Sequence, residues 1–305
     1  MANKTSDLQV RIDSGQQILI AELSPPKSGD PAGVQERARL YAGKVHALGV
    51  SDNRDGASMS ALAAASLVTQ EGVESILHVV TRDRNRIALV SECLGAQALG
   101  IHNILCTTGT HQTLGPARMA KNVFDLDSVQ LLKAYANLAN DGSFVGEERF
   151  AGAGPFCLGA AISQHADPFE MQMMRLAKKV EAGAQFVITQ PVFDLDRFET
   201  FWSAVTSRGF HEKVAILAGI RLLNSADLAR AYAESRPRPK IPAAVLERIS
   251  ARSDAKAQHA EGIAIAVETI QRLVETPGLR GFEIRADGDD EAVLSVIEQA
   301  GLGVA

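Results

Sequence analysis

Short apolar runs alternate with stretches of helical spacing along nearly the whole chain. Eight runs of strand length start near residues 18, 49, 75, 102, 156, 185, 214 and 281. Most of these starts are roughly thirty residues apart, the length of one strand–helix unit. Between the first two runs, Val34, Leu40 and Val45 fall near helical spacing and predict a helix over residues 34–48. The pattern predicts an α/β fold, the (β/α)₈ TIM barrel, with an open doubly wound sheet as the alternative.

Two longer intervals interrupt this spacing. A loop over residues 108–124 and a Gly-rich insertion over 141–154 separate the fourth and fifth predicted strands. A Pro-rich bend at residues 235–242 precedes predicted extra helices over 243–252 and 255–275, before strand 8. The polar residues 1–15 are expected to be a frayed N-terminal arm, and residues 16–305 a single barrel domain.

Composition and charge exclude several classes of protein. A net charge of −5 disfavours a nucleic-acid surface, and no apolar run reaches membrane-spanning length or forms a signal-peptide core. The widely spaced Cys93, Cys106 and Cys157 are typical of a reducing, cytoplasmic location. The seven histidines show no metal-ligand spacing, and the glycine motifs of Rossmann and P-loop nucleotide sites, like the serine-hydrolase elbow, do not occur.

Polar residues follow the predicted strands at their carboxyl ends, where TIM barrels place their chemistry. Glu22 closes the first strand, because Pro25 and Pro26 cannot continue a ladder. We expect burial to raise the pKa of Glu22 and to suit it to proton donation, the alternative being an edge glutamate facing water. The other strand-end positions are Asp52, Asn53, His78, Asp83, Thr108, Gly109, Thr110, His111, the segment 162–165, Gln190 and Arg221.

Several of these residues have equally simple structural explanations. Gly109 fits a close approach of backbone to a ligand or an ordinary turn. His78 is a candidate ligand or a satisfied core histidine. Gln190 offers an amide to a pterin- or purine-like edge or caps the turn at Pro191. One of the pair Lys178 and Lys179 binds phosphate, or the pair belongs to a solvated helix face.

Four segments of the chain, in order, resemble motifs of the methylenetetrahydrofolate reductase family. The run A-E-L-S-P-P-K at residues 21–27 is similar to the opening E-F-x-P-P-K/R signature. The run N-I-L-C-T-T-G at 103–109 resembles N-I-L-x-L-x-G-D, and A-K-N-V-F-D-L-D-S-V-Q-L-L at 120–132 resembles one branch of the family. The run A-G-A-Q-F-V-I-T-Q-P-V-F-D at 182–194 resembles A-G-A-x-F-x-I-T-Q-x-x-F-D. The resemblance covers about residues 17–302.

The resemblance implies a flavin-bearing barrel with FAD across the carboxyl ends of the strands. Hydride would pass from NAD(P)H to FAD and then to 5,10-methylenetetrahydrofolate, giving 5-methyltetrahydrofolate by a ping-pong scheme. Glu22 matches the general acid that protonates N10 as the imidazolidine ring opens, and Gln190 matches a glutamine that contacts the folate.

The resemblance also assigns residues to the flavin. Lys179 matches a lysine on the diphosphate, and Ile162 stands where some members stack a tyrosine on adenine. The full set of implied cofactor-binding residues is Asp52, His78, Thr108, Gly109, Thr110, His111, Asp125, Ile162, His165, Gln172 and Lys179.

Two positions depart from the family pattern. Thr110 stands where the family has an aspartate beside the flavin, so the reduced, anionic flavin should be stabilised and its potential raised. The last strand lacks the frequent F-Y-T-L-N, and Arg285 is a candidate partner for the glutamate tail of folate.

Three functions are therefore open. A folate-linked flavin oxidoreductase, running toward or away from 5-methyltetrahydrofolate, predicts a yellow protein. A non-redox folate- or pterin-binding barrel, such as a methyl-transfer enzyme, predicts a colourless one. A non-catalytic subunit that docks onto a redox partner is the third, although an intact Glu22 and Gln190 argue against it. The expected partners are NAD(P)H and tetrahydrofolate derivatives, without nucleic acid or membrane, in a homo-oligomer.

Overall fold

The eight strands found among the described residues form one closed parallel barrel. A computed structural model describes residues 6–146, 148–235 and 241–304. The strand order around the barrel is β1 to β8, and β8 pairs with both β7 and β1. This closure confirms the (β/α)₈ barrel and excludes the open sheet. The strands are β1 (Ile18–Leu23), β2 (Ala47–Val50), β3 (Ser75–Val80), β4 (Asn103–Thr107), β5 (Cys157–Ile162), β6 (Phe186–Pro191), β7 (Ala215–Arg221) and β8 (Gly281–Arg285).

Helices alternate with the strands and pack around the barrel. As predicted, two extra helices precede β8, while residues 236–240 of the predicted Pro-rich bend lie outside the described residues. No helix in the described part of the chain is long and apolar enough to span a bilayer. The helices are α1 (Asp7–Asp13), α2 (Ala32–Tyr41), α3 (Ala61–Gln70), α4 (Arg86–Ala98), α5 (Ser128–Asp141), α6 (Phe169–Glu181), α7 (Leu195–Ser207), α8 (Ala226–Glu234), α9 (Ala243–Ser250), α10 (Ala255–Leu273) and α11 (Asp290–Gln299).

The N-terminal arm is not frayed over its second half, which corrects the prediction. The Ser6 side chain caps α1 by accepting the Gln9 N–H at 3.0 Å. Leu8 is fully buried in the apolar cluster that also holds Ile18 of β1. Arg280 ties the following turn down by donating to three backbone carbonyls, at residues 11, 12 and 16. The helix therefore closes the amino end of the barrel.

The second predicted strand and the helix before it are shifted. Helix α2 ends at Tyr41 rather than Leu48, and β2 begins at Ala47 rather than Gly49. Gly43 has φ of +70°, a left-handed conformation that ends a helix, so Val45 and Leu48 belong to the turn and the strand. The sequence pattern missed this turn because the apolar residues on both sides of it fall at helical spacing.

The barrel interior changes character from the amino to the carboxyl end of the strands. Inward-facing Ile18 and Ile20 of β1 belong to an apolar inner cluster, and Glu22 follows in the same row. Phe186 of β6 fills the space beside Gly159 of β5, where an added Cβ would lie 2.2 Å from the ring. A packed apolar floor therefore lies beneath the polar carboxyl ends.

Candidate active site

Glu22 lies at the polar mouth of the barrel, at the position predicted from the proline stop. Its side chain is 5% exposed. One carboxylate oxygen accepts a short hydrogen bond from Arg54 on the β2–α3 loop, and the other accepts from Arg285 of β8 at 3.3 Å. Each oxygen therefore has a cationic partner.

The two arginines reverse the expected protonation of Glu22. Burial alone would raise the pKa of Glu22, but the positive charges of Arg54 and Arg285 outweigh it and lower the pKa to about 2. The prediction of a raised pKa was wrong, because Arg54 and Arg285 come from distant parts of the chain. Glu22 is thus a carboxylate at neutral pH in this arrangement.

A second buried carboxyl group, Glu283 of β8, lies beside Glu22 and was missed in the sequence. Glu283 is 3% exposed, and neither of its oxygens accepts a hydrogen bond from a described residue. Burial raises the pKa of Glu283 to about 8, and the nearby Glu22 charge adds to the rise despite Arg285 and Arg54. The alternation of Glu283 and Arg285 along a strand was the available signal, since it puts both side chains on the inward face.

His78 of β3 completes this group of side chains. It is 9% exposed, and Gly49 of β2 makes room for its ring, since an added Cβ would lie 2.9 Å from Nε2. Burial lowers the pKa of His78 to about 4 although Glu22 opposes the shift. His78 is therefore a neutral imidazole at neutral pH.

A further cation at the barrel mouth, Arg221, is linked to Arg54 through Asp287. Arg221 of β7 stacks over the Tyr232 ring at 4.0 Å and forms a short ion pair with Asp287. Asp287 also accepts from Arg54 at 2.8 Å. Both Arg221 and Arg285 have a buried Nε atom without a protein partner among the described residues. The mouth therefore offers donors suited to carboxylates.

Asp52, predicted to contact the flavin, is engaged within the protein. Its carboxylate accepts the Val80 N–H at 2.9 Å and forms an ion pair with Arg84. Asp52 is 3% exposed. The Asp52 carboxylate therefore links the carboxyl ends of β2 and β3 by a hydrogen bond.

The turn after β4 is also tied to neighbouring loops. Gly109 has φ of +83°, and an added Cβ would lie 2.6 Å from Val80, so this glycine is required by packing. The Thr110 carbonyl accepts from Arg82 at 3.1 Å, and the Thr108 hydroxyl accepts the Ser128 N–H at 3.0 Å. Gly109 and Thr110 are accessible at the mouth.

Two other residues predicted to bind the flavin, His111 and Asp125, form hydrogen bonds with neighbouring protein side chains. The exposed His111 hydrogen-bonds Thr113 and Asn122, each at 2.8 Å. Asp125 pairs with Arg86 at 2.7 Å, and the hydrogen bonds from Arg86 lower the pKa of Asp125 to about 2. Neither side chain joins the group around Glu22 and His78 in these contacts.

Lys179 of α6 is a buried ammonium group that fits an anionic ligand. It is 8% exposed and donates a short hydrogen bond to the Ala161 carbonyl at the end of β5. Burial and the nearby Arg175 charge lower the pKa of Lys179 to about 8. Among the ion pairs of the described residues, none includes Lys179. A diphosphate would supply the missing negative charge, so this position fits the predicted cofactor.

The remaining predicted residues lie around β5 and β6. Ile162 is buried in the cluster between barrel and helices, Gln172 of α6 is buried, and His165 lies half-buried on the loop after β5. Gln190 is the penultimate residue of β6, three strands from β1 in the barrel, and its carbonyl accepts from Gln164 at 2.9 Å. The half-buried Gln190 is thus placed at the carboxyl end of its strand, as predicted.

Comparison with known proteins finds one family along nearly the whole chain. The model of the family described as methylenetetrahydrofolate reductase matches residues 7–301. A probable methylenetetrahydrofolate reductase (NADPH) from Caenorhabditis elegans is 23% identical over 301 residues, covering 93% of this chain. This chain spans only 42% of the length of that relative.

Solved structures share the fold at low sequence identity. An uncharacterised protein from Clostridium thermocellum that binds two copies of 5-methyl-5,6,7,8-tetrahydrofolic acid superposes with a TM-score of 0.64 at 13% identity. The match covers 95% of this chain and 96% of that one. A riboflavin lyase with modified FMN and riboflavin gives a TM-score of 0.55 at 9% identity, covering 95% and 93%.

Proposed function

Because this chain belongs to the methylenetetrahydrofolate reductase family, we propose that it interconverts 5,10-methylenetetrahydrofolate and 5-methyltetrahydrofolate with NAD(P)H. The observation that carries this proposal is Glu22, a carboxylate placed at the barrel mouth between Arg54 and Arg285. A structural neighbour that binds 5-methyltetrahydrofolate supports the substrate class. Net oxidation of the methyl group is included, since Thr110 departs from the family pattern.

FAD is the proposed cofactor. Lys179 would bind its diphosphate. This buried ammonium donates to one backbone carbonyl, that of Ala161, and forms no ion pair with a carboxylate among the described residues. The accessible backbone at Gly109 and Thr110 would border the flavin ring. When bound, FAD would carry hydride between the nicotinamide and the folate, which use the site in turn.

Glu22 is proposed to protonate N10 of the folate as the imidazolidine ring opens. In the structure its two oxygens are occupied by Arg54 and Arg285, so one arginine must give way to the folate. Arg54 is the one able to move, because it sits on a loop and is 26% exposed, against 14% for Arg285. Losing one cation raises the proton affinity of Glu22, as a general acid requires.

Other residues of the mouth suit the rest of the folate. The Gln190 amide has both donor and acceptor atoms for the pterin edge. Arg221, with an unused Nε donor, and Arg285 suit the carboxylates of the glutamate tail. His78 is a neutral imidazole near Glu22, so it adds no positive charge beside the Glu22 carboxylate at neutral pH.

Replacing Arg54 with methionine should raise the pKa of Glu22. The substitution removes one of two neighbouring positive charges from a buried carboxylate, so we expect an upward shift of about 1–3 units. The pH dependence of kcat/KM for folate turnover, which reports the free enzyme, would shift to higher pH by the same amount. The matched control is Arg39→Met, which breaks an exposed pair with Glu71 and should leave the profile unchanged. An unshifted profile in Arg54→Met would contradict the assigned ion pair.

Replacing Thr110 with aspartate should lower the flavin potential. The change restores a negative charge beside the reduced, anionic flavin, and we expect a decrease on the order of 20–60 mV. Thr110→Asn, of similar shape but neutral, is the control in the same anaerobic redox titration. A Thr110→Asp potential at or above the Thr110→Asn value would refute this account.

The absorption spectrum of the purified protein is the first test of the proposed function. A flavin spectrum, bleached anaerobically by NADH or NADPH and restored by methylenetetrahydrofolate, is expected. A colourless protein that binds folate would favour the non-redox barrel instead. A protein that neither reacts with nicotinamide nor binds folate would favour the non-catalytic subunit.

A further inference from the structure

Glu283 occupies a position in the barrel where a carboxylate accepts no hydrogen bond from a described residue, and the charge of the nearby Arg285 does not outweigh its burial. Its strand register pairs it with Ile20 of β1 and Gly219 of β7, so neither neighbouring strand supplies a polar side chain at that level. Its two oxygens are fully enclosed and accept no hydrogen bond from a described donor. An ionised carboxylate in such a place is strongly disfavoured, whereas a neutral acid is tolerated.

The acid form of Glu283 has a neighbour that could accept its proton, namely Glu22. Glu22 follows Ile20, the register partner of Glu283, on the same inward face, so the two carboxyl groups are neighbours and protonation of one allows a hydrogen bond between them. Such a bond requires that one of the two carry a proton, since two carboxylates are both acceptors. Glu22 is the ionised member, because Arg54 and Arg285 each donate to one of its oxygens.

We infer that Glu283 stores the proton that Glu22 delivers, the two side chains forming an acid–carboxylate pair that shares one proton. This inference rests on the proposed function for the delivery step alone. Glu283 does not touch the folate in this scheme and acts through Glu22. The sequence motifs shared with the family do not include this residue.

The proton moves in a balanced sequence. Folate entry displaces Arg54 from Glu22, whose proton affinity rises, and the proton passes from Glu283 to Glu22 and on to N10. The bond from N10 to the methylene carbon breaks with its electron pair left on N10, and the carbon becomes an iminium that accepts hydride derived from the nicotinamide. Glu283, now a carboxylate facing Arg285, regains a proton from solvent before the next turnover.

The surrounding charges set the pH range over which the pair works. Glu283 faces Glu22 of β1, Arg285 of its own strand and Arg54 of the β2–α3 loop, and Glu22 also faces His78 of β3. Burial raises the pKa of Glu283 to about 8, so the store is filled below about pH 8 and emptied above it.

Infrared difference spectroscopy on the intact protein without folate tests the stored proton. The carbonyl stretch of a protonated carboxylic acid should be present at pH 7, should fade on titration through about pH 8, and should be lost in Glu283→Gln. The matched control is Glu261→Gln, because Glu261 is also buried but is ionised between Arg248 and Arg252. Equal acid absorption at pH 7 in the wild type and Glu283→Gln would overturn the inference.

Folate turnover tests the delivery step. Glu283→Gln should slow turnover by roughly tenfold or more and remove the alkaline limb of the wild-type pH profile, and Glu283→Asp should restore both in part. An unchanged rate and pH profile in Glu283→Gln, with active wild type, would overturn the proton store and leave the proposed function standing. An infrared band that behaves as expected in a wild type unable to turn over folate would support the proton on Glu283 and contradict the proposed function.

Discussion

Glu22→Gln is expected to slow folate turnover by about 10²–10⁴-fold while nicotinamide oxidation with an artificial electron acceptor continues. Glutamine keeps the shape of the side chain but cannot deliver a proton to N10. The nicotinamide half-reaction needs no proton from Glu22, so the two half-reactions should separate. Stopped-flow measurement of each half-reaction, under anaerobic conditions, provides the comparison.

The matched control for Glu22→Gln is Glu261→Gln. Glu261 is also a buried carboxylate held between two arginines, Arg248 and Arg252, but it lies on α10 outside the barrel mouth. It controls for the loss of a buried ion pair as such. Equal loss of both half-reactions in Glu22→Gln, in a folded protein, would contradict its role as the acid.

The second large effect concerns stability, since Glu283→Gln should be more stable than the wild type at alkaline pH. The ordinary pKa of a glutamate is 4.5, and burial raises the pKa of Glu283 to about 8 in the folded protein. Between these values the unfolded chain is ionised and the folded protein still holds the proton, so the free energy of unfolding falls as pH rises. The total loss is on the order of 5 kcal/mol and is complete above about pH 8.

The variant should therefore match the wild type near pH 4.5 and exceed it increasingly toward pH 8. Urea unfolding at a series of pH values measures the difference. Glu298→Gln, a change at an exposed glutamate of α11, is the control and should follow the wild type at every pH. If the free energies of unfolding of Glu283→Gln and the wild type differed by the same amount at every pH, Glu283 would not titrate in this range.

Glu22 changes the free energy of unfolding in a different pH range and in the opposite direction, since its contribution is lost as the pH falls. Arg54 and Arg285 overcome burial and lower its folded pKa to about 2, so its contribution is present above pH 4.5 and is lost as pH falls toward 2. The two carboxyl groups therefore affect stability on opposite sides of pH 4.5. Unfolding data collected over the whole range can separate them.

The sequence by itself determined the fold, the family and the place of Glu22. The spacing of apolar runs reflects one strand–helix unit, and the stop at Pro25 and Pro26 puts Glu22 at a strand end, because proline cannot donate to a ladder. The sequence misplaced the end of α2, where Gly43 turns the chain before residues that fit a helical spacing.

Only the tertiary structure decided the state of the site. Arg54 and Arg285 lie 32 and 263 residues from Glu22 along the chain, yet both donate to its carboxylate. Glu283 differs from Glu22 in protonation because the register of β8 places it beside Ile20, where no described residue donates a hydrogen bond to it. Coulombic attraction and desolvation depend on separation in space, so local sequence predicts which residues reach the barrel mouth but not which of them carries the proton.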